Sequence, residues 1–226
     1  PADKPGATVD RIVSFVDMPK TWVSLAGGTP PETMQGTIFL GKGIEPEPKY
    51  HLGFRERADE RYDCVRMIRD KRFAYYKNYM PYAPAGQYLA YLWKAPATPA
   101  WEKHHREGKT NEITGRFFGT KPMEELYDTS VDPDNVNNLI DDPAYAEDIA
   151  RLSQAMDEWQ LANYDSALLP ESEVVKRAED AGVTIYEYVR DSSRYDIEAY
   201  QTAAALALEQ DPTNLSALYE KLNDAD

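Results

Sequence analysis

The sequence has one cysteine, Cys64, and no apolar run approaching the roughly 20 residues that a membrane-spanning helix needs. A single thiol excludes an intramolecular disulfide. Basic residues are also scarce: 25 Lys and Arg stand against 39 Asp and Glu, for a formal net charge of −14. That balance repels nucleic-acid phosphates and anionic lipid, so general binding to nucleic acid or membrane is excluded. Residues 1–10 lack the apolar centre of a signal peptide. Apolar residues are not lacking. They make up 42% of the chain, with four Trp and 16 Tyr, which argues against disorder, and 226 residues suffice to bury a core.

Periodicity and punctuation then set out the elements. Residues 9–16 alternate apolar and polar and predict a strand. Asp17 and Pro19 read as the N-cap and first turn of a short helix ending at Leu25, before Gly27-Gly28. Residues 29–48 are rich in Gly and Pro and read as a linker. Residues 50–57 predict a first strand, and 64–70 with 73–78 a hairpin turning at Asp70-Lys71-Arg72. Residues 79–99 read as a loop whose prolines and aromatics suit either a carbohydrate groove or a cover over the sheet. A short helix over 101–108 and a last strand over 124–128 follow. Asp142-Pro143 then opens a long helix on which Tyr145, Ile149, Leu152, Met156, Trp159 and Asn163 recur at helical spacing. Three further helices, over 173–181, 197–210 and 215–222, close the chain, the last two forming a hairpin about Asp211-Pro212. The fold class is α+β: about four antiparallel strands packed on one long helix, with a separate N-terminal segment and a helical C-terminal extension. The segments divide at 1–48, 49–170 and 171–226.

Three stretches carry a family likeness. Glu124-Glu125-Leu126-Tyr127-Asp128 is followed by Asp132-Pro133 and Asn137-Asn138-Leu139. Arg66, Arg69-Asp70, Arg72-Phe73, Tyr75-Tyr76 and Asn78 form a second pattern, and Asp17, Pro19, Leu25-Ala26-Gly27, Gln35-Gly36 and Phe39-Leu40 a third. In this order they resemble the C-terminal region of the type I, formylglycine-dependent sulfatases, closest in look to heparan N-sulfatase (sulfamidase)-like bacterial members. The likeness covers about residues 9–170. It implies that 1–48 is a remnant of an α/β catalytic domain with its linker, and that the chain is a C-terminal fragment of a hydrolase acting on sulfate esters or N-sulfates of carbohydrates. It further implies a parent with a formylglycine nucleophile and calcium, in the periplasm or secreted, with sulfated carbohydrate as its partner.

Neither cofactor is expected on residues of this chain. The family makes formylglycine within C-x-[PA]-x-R, whereas Cys64 is followed by Val65, Arg66, Met67 and Ile68, so Cys64 reads as a structural thiol and no catalytic or metal residue is assigned. Asp128, Asp132 and Asp134 lack the Gly and terminal Glu of a calcium loop and read as turn residues. His104 and His105 lie in a charged run without metal spacing. The candidate substrate-binding residues are Arg55, Arg57, Asp59 and His51. Arg55 and Arg57, two apart on a predicted strand, would share a face, and guanidinium forks match sulfate and carboxylate. Internal pairing with Glu56, Asp59, Glu60 and Asp63 is the competing role for both arginines. His51 shares the face of Arg55 if the strand is regular. The alternative function is a non-catalytic carbohydrate-binding or protein-interaction module.

Overall fold

A computed structural model describes residues 6, 8–57, 59–209 and 211–223. Its centre is a four-stranded antiparallel meander, β1 (His51–Arg55), β2 (Val65–Arg69), β3 (Phe73–Asn78) and β4 (Glu124–Asp128), paired in that order. The hairpin register places Arg69 opposite Ala74 and Val65 opposite Asn78, and Asp70 closes the turn by accepting the backbone N–H groups of Arg72 and Phe73. Strand periodicity then sorts the side chains. Leu52, Ile68, Phe73, Tyr75 and Leu126 meet on one face, while His51, Gly53, Arg55, Met67, Arg69 and Tyr76 belong to the other.

Among the described residues, five α-helices follow or flank the meander before the extension begins, α1 (Asp17–Leu25), α2 (Ala90–Trp93), α3 (Ala97–Arg106), α4 (Glu112–Gly115) and α5 (Ala146–Asn163), and α6 (Glu171–Asp180) opens the extension. The long α5 crosses the first sheet face, where Leu152 and Met156 complete a core with Ile68, Phe73, Tyr75 and Leu126. The predicted helical stripe is displaced at its C-terminal end, because Gln160 rather than Trp159 is buried. Gln160 belongs there physically: its side chain bridges the Tyr79 hydroxyl (3.0 Å) and the Asp165 carboxylate (2.8 Å). Beyond α6 lie α7 (Ile185–Tyr188), α8 (Ile197–Leu208) and α9 (Leu215–Asn223). Leu169, Val174, Ala178, Tyr188, Val189 and Tyr195 form a second core around α6 and α7. Gln210, the predicted end of its helix, lies outside the described residues.

The N-terminal segment departs from its sequence reading in two ways. Among the described residues 8–16 do not form a strand, because their partners are side chains: Ile12 N–H donates to the Glu47 carboxylate and Ser14 N–H to that of Asp17. Asp17 lies inside α1 rather than capping it, and its buried carboxylate also accepts Thr37 N–H at 2.6 Å, pinning the Gly36 turn against the helix start. Phe15 is 84% exposed and Leu25 49%, leaving part of the apolar side of this segment uncovered. The predicted loop at 79–99 holds α2 and the start of α3, whose Pro99 is tolerated in a first turn.

Gly36 has φ +90°, and a Cβ there would sit 2.3 Å from the Val16 carbonyl oxygen. Gly36→Ala is therefore expected to cost more than about 1 kcal/mol and to loosen this turn. Amide exchange of Thr37 and Ile38 should accelerate in the variant; unchanged exchange would contradict the docking described.

Candidate functional site

The C-terminal end of β1 gathers charge because the chain leaves the sheet there and returns at Asp63. Asp63 is fully buried and holds Lys121 Nζ through both carboxylate oxygens, at 2.8 and 2.9 Å, while accepting the Cys64 N–H. Arg55, the last residue of β1, points at the same carboxylate from 3.7 Å and keeps about a third of its side chain exposed. Arg57 lies beyond the strand end, so the shared strand face predicted for the two arginines is not formed. Its fork closes instead on Glu171 at the start of α6, with Nε 2.6 Å and Nη2 3.0 Å from the two carboxylate oxygens. That pair is open to solvent on both sides and is exchangeable for a ligand anion at little cost.

Asp59 adopts φ 56°, a left-handed turn that Asp tolerates, and its carbonyl accepts Arg57 Nη1 at 3.2 Å. The loop is tied down elsewhere: Arg61 Nε donates to the Tyr88 carbonyl, and Glu60 accepts Ala90 N–H. Of the internal pairings foreseen for the two arginines, Asp63 takes Arg55; Glu56 pairs with Arg66 instead, and no side-chain ion pair of Asp59 or Glu60 is found among the described residues. His51 is at the other end of β1, opposite Arg69 in register. It shares the face of Arg55, as expected of a regular strand, but stands roughly 13 Å away by strand rise. The structure thus brings Arg55, Arg57 and Asp59 into one neighbourhood and puts His51 in another.

Behind this surface, Arg66 of β2 is 2% exposed and grips Asp165 through two bonds, 2.8 and 2.7 Å, its Nη2 also donating to Glu56 and its Nη1 to the Val65 carbonyl. Burial by itself would raise the Asp165 carboxyl; the hydrogen bonds and charge of Arg66, with donors from Gln160 and Ala167, hold it below the ordinary carboxylate value. Sequence reasoning missed Glu171, Lys121 and Asp165 as partners. They lie 114, 58 and 99 residues from the groups they bind, and no local pattern connects them.

Among the described residues, the thiol and the turn carboxylates are engaged in hydrogen bonds. The Cys64 thiol is buried, donates toward the Ala167 carbonyl, and is pushed up to about 12 by burial. Among the described residues, no group of three or more His, Cys, Asp or Glu side chains could hold a metal ion. Asp128 and Asp132 serve their own turns, accepting from Ser130 and from the Val136 and Asn137 amides. His105 bonds Thr110 and stacks on Phe118. No described helix is long and apolar enough to cross a membrane.

No protein-family model matches the chain. Two curated relatives do, both described as ulvan-active sulfatases of Formosa agariphila. One is 38% identical over 170 residues, covering 74% of this chain and 28% of the relative. The chain corresponds to the C-terminal region of sulfatases. The second relative is 31% identical over 174 residues, covering 72% of this chain and 31% of its own length, so this sulfatase region spans under a third of each. Among solved structures, a 2-O GAG sulfatase aligns with TM-score 0.47 and 20% identity over 71% of this chain and 28% of that one. The sulfatase region is α+β, as its sequence predicts. The sulfamidase-like subtype has no support from the curated relatives.

Proposed function

We propose that the protein carrying this region hydrolyses sulfate esters or N-sulfates of a carbohydrate, and that residues 49–170 contribute substrate recognition rather than the reaction itself. The observation that supports this most is the 38% identity shared with an ulvan-active sulfatase across three quarters of the chain. On this reading the formylglycine and calcium belong to residues outside this sequence, and residues 1–48 are the edge of the catalytic domain. The extension over 171–226 supplies Glu171. We place the parent in the periplasm or outside the cell, where extended sulfated carbohydrates are met.

Arg55, Arg57 and Asp59 are the proposed substrate contacts on this side, with Glu171 holding the Arg57 fork until a sulfate or carboxylate replaces it. Glu171→Gln is accordingly expected to tighten binding of a sulfated oligosaccharide a few-fold, read by titration; weaker binding would show that Glu171 aids the ligand. The wider reading is tested by the coding sequence upstream of Pro1. A C-x-[PA]-x-R motif with an Asp pair is expected there. A natural gene starting near Pro1 would sink the enzyme reading and leave a non-catalytic binding module.

A further inference from the structure

Around the β2–β3 turn, at the end of the sheet away from Arg55, two cavities adjoin. One of about 560 Å³ is lined by Lys49, Lys71, Arg72 and Arg151 together with Glu47, Asp70 and Asp148. The other, about 260 Å³, shares Ile12, Asp70 and Lys71 with it and adds Asp10, Arg11, His51 and Arg69. Six Lys and Arg thus face four carboxylates, a local excess of positive charge in a chain whose net charge is −14.

Partner geometry shows which cations are available. Lys71 is shared between Asp10 (3.5 Å) and Glu47 (3.2 Å), Arg72 is held by Asp128, and one Arg151 nitrogen serves both Asp70 and Asp148 at 2.9 Å. Arg11, Lys49 and Arg69 form no ion pair among the described residues. Arg11 reaches the carbonyls of Glu45 and Pro46, Arg69 the Thr129 hydroxyl at 3.3 Å, and Lys49 lies over the Tyr50 ring. The Arg11 Nε is buried without a partner. Tyr50 reports the same field: burial would raise its phenol, yet Lys49 and Arg151 bring it below the ordinary value. Exposed pairs such as Lys71 with Asp10 hold weakly and exchange readily for a ligand anion.

We propose that this double cavity is an anion groove for a polyanionic saccharide, receiving carboxylate or sulfate groups at Lys49 on one side and at Arg69, His51 and Arg11 on the other. The saccharide class rests on the sulfatase reading above; the cationic groove does not. It lies apart from the Arg55–Arg57 neighbourhood, so it would hold a part of the chain other than the one those arginines meet.

The test is calorimetric titration of this chain with a sulfated, uronic-acid-containing disaccharide, its desulfated form, and a single-stranded oligonucleotide of matched charge. Lys49 and Arg69 are exposed, so Lys49→Ala with Arg69→Ala leaves the core untouched, which thermal unfolding checks. The double variant should bind the sulfated disaccharide about tenfold more weakly or worse, the order of a lost charge-assisted contact. Arg55→Ala with Arg57→Ala should retain most of the binding, and the oligonucleotide should not compete. Loss confined to the Arg55, Arg57 variant, or no binding by the wild type, would overturn the groove while leaving the sulfatase reading, judged by sulfate release, intact. Equal affinity for the oligonucleotide would overturn the ligand class, whereas binding retained by the desulfated sugar would assign the groove to the carboxylate.

Discussion

Asp165→Asn should remove about 2–3 kcal/mol of folding stability, less than the full cost of an unpaired buried charge, because Arg66 keeps the Glu56 carboxylate. Arg66 is nearly inaccessible, and Asp165 receives two of its donors. The same residue anchors the extension to the sheet. Tyr195 donates its hydroxyl to the Asp165 carbonyl at 2.5 Å, and Gln201 of α8 bonds the Asp157 carbonyl of α5. The pair also sets an acid limit. The folded carboxyl lies below its ordinary value of about 3.9, so the unfolded chain takes up the proton first; this stability is present above about pH 4 and is lost as pH falls through the lower folded value. Urea unfolding between pH 2 and 7 checks both parts. The wild type should weaken below about pH 4 more steeply than Asp165→Asn, and replacing both partners, Arg66→Met with Asp165→Leu, should cost less than the single change. A loss under 1 kcal/mol at neutral pH would show that the pair does not hold the extension in place.

In the complete sulfate-releasing protein, Arg55→Ala with Arg57→Ala should lower kcat/KM for a sulfated carbohydrate by roughly ten- to a hundredfold, as expected for one or two charge-assisted hydrogen bonds to an anion. The direction of the KM change carries the information. Uniform binding predicts a rise in KM with kcat nearly unchanged. Folding should be little affected, since Arg57 pairs at the surface and Asp63 retains Lys121 after Arg55 is removed. A variant with wild-type kinetics would return both arginines to the structural role that Asp63 and Glu171 already supply.

What was legible in the sequence followed period and punctuation. The hairpin and β4 stand within a residue of their predicted places, because alternating residues such as Ile68, Tyr75 and Leu126 have one face to bury, while Pro143 opens a 3-10 turn and α5 itself begins three residues later at Ala146. Residues 9–16 also alternate, yet no neighbouring strand is there to pair with them; Glu47 and Asp17 satisfy their amides instead. Trp159 was the more apolar choice for the stripe, but Gln160 is buried because two polar groups need it. The candidate site was legible in residue type and not in arrangement. Arg55 and Arg57 separate because β1 stops between them, and their partners come from distant segments that only the folded chain assembles.

Sulfate release tests the central claim most directly. Inorganic sulfate freed from a sulfated carbohydrate would be measured by ion chromatography for this chain alone and for the protein extended upstream through its formylglycine motif. The account predicts release by the extended protein and none by this chain. Sulfate freed by these 226 residues alone, or none freed by an extended protein shown by mass spectrometry to carry formylglycine, would contradict it.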